Sequence, residues 1–165
     1  MQIRFAALAA ATLFASTAAH AGDCSALMAA TRAGATKPYS GTIVMTHPGK
    51  PPETSHAVMT GDKMYVQVAG AWHAVKMGTK ELLQTIDDNA KTAKMTCVHK
   101  GEGEVNGQPA TIWSAHVVNQ GMISDNTVWI GRSGLPLKTE SDLGDGLTVV
   151  SVLDYAHYAV PAGVK

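Results

Sequence analysis

Aromatic side chains are scarce in this chain, 5% of residues, and the shortage is deeper than the figure. Both phenylalanines, Phe5 and Phe14, sit in the first fifteen residues, so everything beyond must build its core from aliphatic residues, Met, three Trp and four Tyr. Charge of one sign is also lacking: Lys plus Arg equals Asp plus Glu at 13 each. No basic surplus exists to neutralise a phosphate backbone, which excludes nucleic-acid binding driven by counterion release and electrostatic attachment to a membrane. No apolar run beyond the leader approaches the roughly 20 residues of a transmembrane helix. Cysteine is limited to Cys24 and Cys97, with no CxxC pair, which argues against thioredoxin-type redox chemistry.

The first twenty-one residues read as a secretory signal peptide. Arg4 precedes an apolar stretch from Phe5 to Ala15 that ends in Ala19-His20-Ala21, an A-x-A cleavage signature. Cleavage after Ala21 leaves 22–165 as one domain in the periplasm, and removes one cation for a net charge near −1. Asp23 stands where a lipid-attachment box needs a small residue, which disfavours acylation of Cys24. In an oxidising compartment the two cysteines are expected to pair, closing a loop of about seventy residues worth roughly 3–5 kcal/mol in the chain-entropy model.

The mature chain opens with an expected helix from Cys24 to about Ala33, stopped by Gly34. The period then changes to two. Tyr39–His47 puts Ile43 and Met45 on one face; a Pro-rich loop follows. Thr54–Thr60 and Lys63–Val68 form a hairpin about Gly61-Asp62, with Met64, Val66 and Val68 on one face. Trp72–Met77 is extended, and Thr79 is placed to cap a helix of about eleven residues carrying Leu82, Leu83, Ile86 and Ala90 on one stripe. Met95–Glu104 and Gln108–Asn119 flank Asn106-Gly107, a strong hairpin signal; strands 126–130, 137–141 and 147–155 complete the chain. The plan is α+β: a single curved antiparallel sheet, an unclosed half-barrel, with an N-terminal and an internal helix covering its concave face.

Residues 127–140, with Trp129-Ile130, the Gly134-Leu135-Pro136 turn and Lys138 to Glu140, followed by Gly144–Gly146 and Val149–Tyr155, resemble the second half of the LolA-like periplasmic lipoprotein carriers. Gly61 to Trp72 is similar to that family's early strands. The resemblance covers about a third of the mature chain and implies a half-barrel holding an acyl chain or another apolar guest between sheet and helices.

Chemical constellations are weaker. Ser133 lacks the second glycine of a nucleophile elbow, since Leu135 stands there. Gly101, Gly103 and Gly107 lack the spacing of a dinucleotide fingerprint. Asp87-Asp88 reads as a solvated helix end. Met95, Cys97 and His99 share one side of a strand, as soft copper ligands would, but Met also fills gaps in a core without Phe, and Cys97 is claimed by the disulfide. The expectation is therefore no metal, no cofactor and no catalytic residue. A hydrophobic-ligand cavity is expected between Ile43, Met45, Met64, Val66 and Trp113 on the sheet and Leu83 and Ile86 on the helix, taking a lipid or an acylated peptide. The alternatives are an envelope protein-interaction module and an exported metal-binding protein.

Overall fold

The computed structural model describes residues 23–164; the signal peptide, its cut after Ala21 and Gly22 lie outside the described residues. Two helices and nine strands follow in the order α1 (Ser25–Ala35), β1 (Tyr39–Thr46), β2 (Glu53–Met59), β3 (Met64–Val68), β4 (Ala71–Val75), α2 (Thr79–Thr92), β5 (Lys94–Val105), β6 (Gln108–Asn119), β7 (Met122–Gly131), β8 (Pro136–Asp142) and β9 (Thr148–Asp154). The strands make one antiparallel sheet ordered β4-β3-β2-β1-β9-β8-β7-β6-β5. β4 and β5 are its two edges, so the half-barrel stays unclosed, as expected.

Turn chemistry sets this meander. Asn106 and Gly107 carry φ of 50° and 78°, the paired left-handed conformations of a type I′ turn whose twist matches the flanking strands. Gln120 and Gly121 repeat the geometry at 51° and 84°. That second turn starts β7 at Met122, four residues before the expected Asn126. The polar run Ser124-Asp125-Asn126 imitates a loop in sequence, yet each of its residues pairs with β6. A bulge between His99 and Gly101 interrupts the β5–β6 ladder, on the edge where a flat strand would invite foreign pairing.

Helix α2 starts one residue earlier than a Thr79 cap would place it. Gly78 is the N-cap; its backbone N–H donates to Glu81 Oε2 at 3.0 Å, while Thr79 N–H donates to the Gly61 carbonyl at 2.6 Å. The helix is thereby seated on the β2–β3 turn, so closely that a Cβ on Gly78 would lie 2.6 Å from the Asp62 carbonyl oxygen. At its other end Thr92 donates to Asn119 Oδ1 at 2.9 Å, and Asn119 donates to Asn89 Oδ1 at 3.2 Å. α2 thus strides from the β2–β3 turn to the end of β6. Its Asp87 is no idle solvated end: the carboxylate meets the Arg32 guanidinium of α1 and ties the helices together.

Candidate functional site

Cross-strand register divides the sheet into two faces. One row of paired residues runs His99, Trp113, Val128, Thr139, Ser151, Ile43, Ser55 from β5 to β2, and its side chains point one way. A parallel row runs Cys97, Ala115, Asn126, Ser141, Val149, Met45, Glu53. This is the helix-covered face, because Leu27 and Ala30 of α1 pack into one buried cluster with Cys97, Ala115, Val128 and Ile130.

The α1 side of that face is solid. Leu27 is 5% exposed, Ala30 3% and Cys97 0%, and burying side chains such as Leu27, Val128 and Ile130 is worth roughly 1.5–3 kcal/mol each. Cys24, at the start of α1, is joined to Cys97 across 73 residues, the expected pairing. Gly34 lets α1 press close: a Cβ there would stand 2.9 Å from Cγ and Cδ of Pro136 and from the Tyr155 hydroxyl. Burial, then the neighbouring Tyr39, raises the Tyr155 pKa, and its hydroxyl has no hydrogen-bond partner among the described residues.

The α2 side is built differently. Ile43 and Met45 on β1 and Met64 and Val66 on β3 share the covered face with Ala57, Met59 and Leu153, as the pairs Ala57–Val66, Met59–Met64 and Gly41–Leu153 require. Ala57 and Met59 are buried, whereas Ile43, Met45, Met64 and Val66 are half-buried. None of the residues of α2 is buried; Leu82, Leu83 and Ile86 are half-buried. Between the two sides runs a polar strip on β7 to β9: Asn126, Ser141, Thr139 and Ser151, with Ser141 donating to Asn126 Oδ1 at 2.7 Å.

The expected cavity residues therefore fall into two groups. Ile43, Met45, Met64 and Val66 stand together on the α2 side, with Leu83 and Ile86 on α2. Trp113 lies across the polar strip, four strands from Ile43 in the same row or roughly 19 Å at ordinary strand spacing, packed against the α1 cluster with its ring 5.2 Å from His99. Met95 packs on that cluster too and Cys97 is spent in the disulfide, so the Met95, Cys97, His99 row is committed to structure. Among the described residues no three His, Cys, Asp or Glu side chains converge as a metal site requires.

The bare face carries features that the sequence did not announce. An open groove of about 750 Å³ is lined by Thr42, His56, Val58, Trp72, Leu137 and Val152, among others. At its end Asp154 accepts from the backbone N–H of Ala156 at 2.8 Å and of His157 at 3.0 Å, and meets His157 Nδ1 at 3.0 Å. The Ala156 bond first, then the His157 side chain, hold the Asp154 pKa below the usual carboxylate value. Ser40 is close by, but its hydroxyl donates to the His157 carbonyl at 2.7 Å rather than to the imidazole, so the trio is not a nucleophile and base. A second open cavity of about 570 Å³ is lined by Val98, Val149 and Val150 together with His116, Asp125 and Glu140, among others. None of the expected cavity residues lines either one.

Among solved structures, the Pseudomonas aeruginosa MucA/MucB complex aligns with a TM-score of 0.50 at 16% identity, over 82% of this chain and 57% of that one. The Mycobacterium tuberculosis lipoprotein LppX also aligns at 0.50, with 11% identity over 82% and 95%. The LolA superfamily protein NE2245 of Nitrosomonas europaea covers 82% and 94% at 8% identity, with a TM-score of 0.35 too low to weigh. The fold is shared with the MucA/MucB and LppX matches. No protein-family model matches the sequence, and no curated protein does. At such identities the likeness speaks to fold alone, and the chain spans a little over half of the MucA/MucB match. No helix among the described residues is long and apolar enough to cross a membrane.

Proposed function

We propose that the chain is an exported, non-enzymatic binding protein that carries a lipid or an acylated peptide between α2 and the sheet. One observation supports this reading: an amphipathic helix with no buried residue runs beside α1 from the β2–β3 turn to the end of β6, and Ile43, Met45, Met64 and Val66 on the sheet are all only half-buried. An apolar stripe and an apolar wall that leave each other half covered gain by enclosing a third apolar body. At roughly 25 cal/mol per Å² of buried apolar area, less the cost of ordering the guest, such a wall reaches micromolar affinity without a charged anchor. The leader through Ala21 fits delivery to the periplasm, where Cys24 and Cys97 oxidise, and the lipoprotein LppX shares the architecture. Uptake of a fluorescent fatty acid by the purified protein tests the reading. Met64→Gln or Val66→Asn should weaken uptake about tenfold, compared at equal folded fraction because a polar group in mid-wall also costs stability. Unchanged uptake in both variants would remove the wall from the site.

A second reading, an envelope protein-interaction module, draws on the bare-face groove with Trp72, Val58 and Leu137, and on the MucA/MucB likeness. Trp72→Ala would abolish partner capture under that reading and leave fatty-acid uptake intact.

A further inference from the structure

The two edges of the sheet are defended unequally. β5 carries Lys94, Lys100, Glu102 and Glu104 and is broken by the bulge between His99 and Gly101, devices that keep a free edge from pairing with another chain. β4 has none of them. From Met64 to Val75 the β3–β4 hairpin holds no Lys, Arg, Asp, Glu or Pro, and its register is unbroken. Ala69 and Gly70, with φ of 48° and 79°, form a two-residue turn, which makes Val68–Ala71 a hydrogen-bonded pair and, by alternation, Val66–His73 and Met64–Val75 as well. The backbone N–H and C=O groups of Trp72 and Ala74 therefore point away from β3, and among the described residues no other strand or turn takes them.

These five residues, Ala71-Trp72-His73-Ala74-Val75, complement their own reverse. In an antiparallel copy centred on His73, Ala71 stands against the partner's Val75, Trp72 against the partner's Ala74 and His73 against the partner's His73, so every pair but the central one sets a large side chain beside a small one. The outward backbone groups of Trp72 and Ala74 meet those of the partner's Ala74 and Trp72, and Val75, 36% exposed, gains cover. We propose that β4 is a self-pairing edge through which two copies of this chain join their nine-stranded sheets into one. Pairing of β4 with the partner's β5 would not close, but the bulge and charges of β5 oppose it, and the two-fold β4 contact stops at a dimer. Five residues a side fall short of the roughly 800 Å² per partner of a lasting interface, so the dimer is a weak one, with a dissociation constant on the order of 0.1 mM. Pairing also brings together the two bare-face grooves, since each is walled by its Trp72.

The test is analytical ultracentrifugation of the purified protein between about 10 μM and about 1 mM, where monomer should give way to dimer. Ala74→Pro removes an N–H that β3 does not use, and proline is tolerated on an edge whose N–H faces solvent, so this variant should keep its melting temperature and dimerise at least about tenfold more weakly. A second pair of variants keeps the backbone intact. His73→Lys and His73→Glu should each stay monomeric, because like charges then face one another across the two-fold, and an equimolar mixture of the two should dimerise again. A parent that remains monomeric at about 1 mM, a dimer that survives Ala74→Pro unweakened, or a mixture no more dimeric than its separate components overturns the proposal.

Discussion

The two halves of the helix-covered face make a natural contrast. Under α1 the wall is finished: small residues, Ala30, Gly34, Ala115 and Cys97, let helix and sheet meet, Leu27, Val128 and Ile130 fill the space, and a disulfide fixes the helix to β5. Under α2 the wall is looser, with unbranched or β-branched side chains half-buried and a helix held at its two ends and by the Arg32–Asp87 ion pair. The first half behaves as protein core. The second, half-buried and covered by a helix with no buried residue, is where the proposed guest would sit.

The sharpest way to break the contrast is at the disulfide. Cys24→Ser/Cys97→Ser should cost about 3–5 kcal/mol, lowering the melting temperature by about 10 °C, measured by circular dichroism. Fatty-acid uptake at temperatures where the variant remains folded should survive, since the bond lies on the finished side.

Next in size come paired substitutions that add or remove one group on each side. Gly34→Ala forces a methyl to within 2.9 Å of the Pro136 ring and the Tyr155 hydroxyl, and should cost about 1–3 kcal/mol in urea unfolding. Leu83→Ala on α2 removes more atoms yet should cost only about 1 kcal/mol, as the side chain is half-buried, while lowering fatty-acid affinity. Equal costs would mean that α2 is packed as firmly as α1.

The smallest effect concerns the seat of α2. The backbone N–H of Glu81 itself, then that of Gly78, hold the Glu81 carboxyl below the ordinary glutamate value. A depressed folded-state pKa contributes stability that is present above the unfolded value, about 4.3, and lost as pH falls through the folded value. Helix α2 should therefore loosen below about pH 4 in hydrogen exchange, before α1 does, and Glu81→Gln should remove the difference.

Much of this architecture was legible in sequence because its punctuation is local. Asn106-Gly107 and the alternation through Tyr39–Thr46 and Met64–Val68 speak for themselves, and nine strands with two helices follow. Gln120-Gly121 was harder, since Gln is an uncommon occupant of a left-handed position and the polar Ser124–Asn126 run pairs in the sheet. Parity placed Ile43, Met45, Met64 and Val66 on one face. It could not say that Trp113, on that same face, sits across a polar strip against α1, because this depends on strand order. Nor could any local pattern show the Arg32–Asp87 tie or the bare-face groove, which join residues brought together only by the meander.

The central claim is that an apolar guest enters on the α2 side. Methyl-resolved NMR during titration with a long-chain fatty acid tests it most directly. Methyl signals of Ile43, Met45, Met64, Val66, Leu83 and Ile86 should shift together, while those of Leu27, Val128 and Ile130 under α1 stay in place. Shifts confined to Val58, Leu137 and Val152 would put the guest in the bare-face groove, and with shifts at Val128 and Ile130 instead, or none at all, would contradict the account.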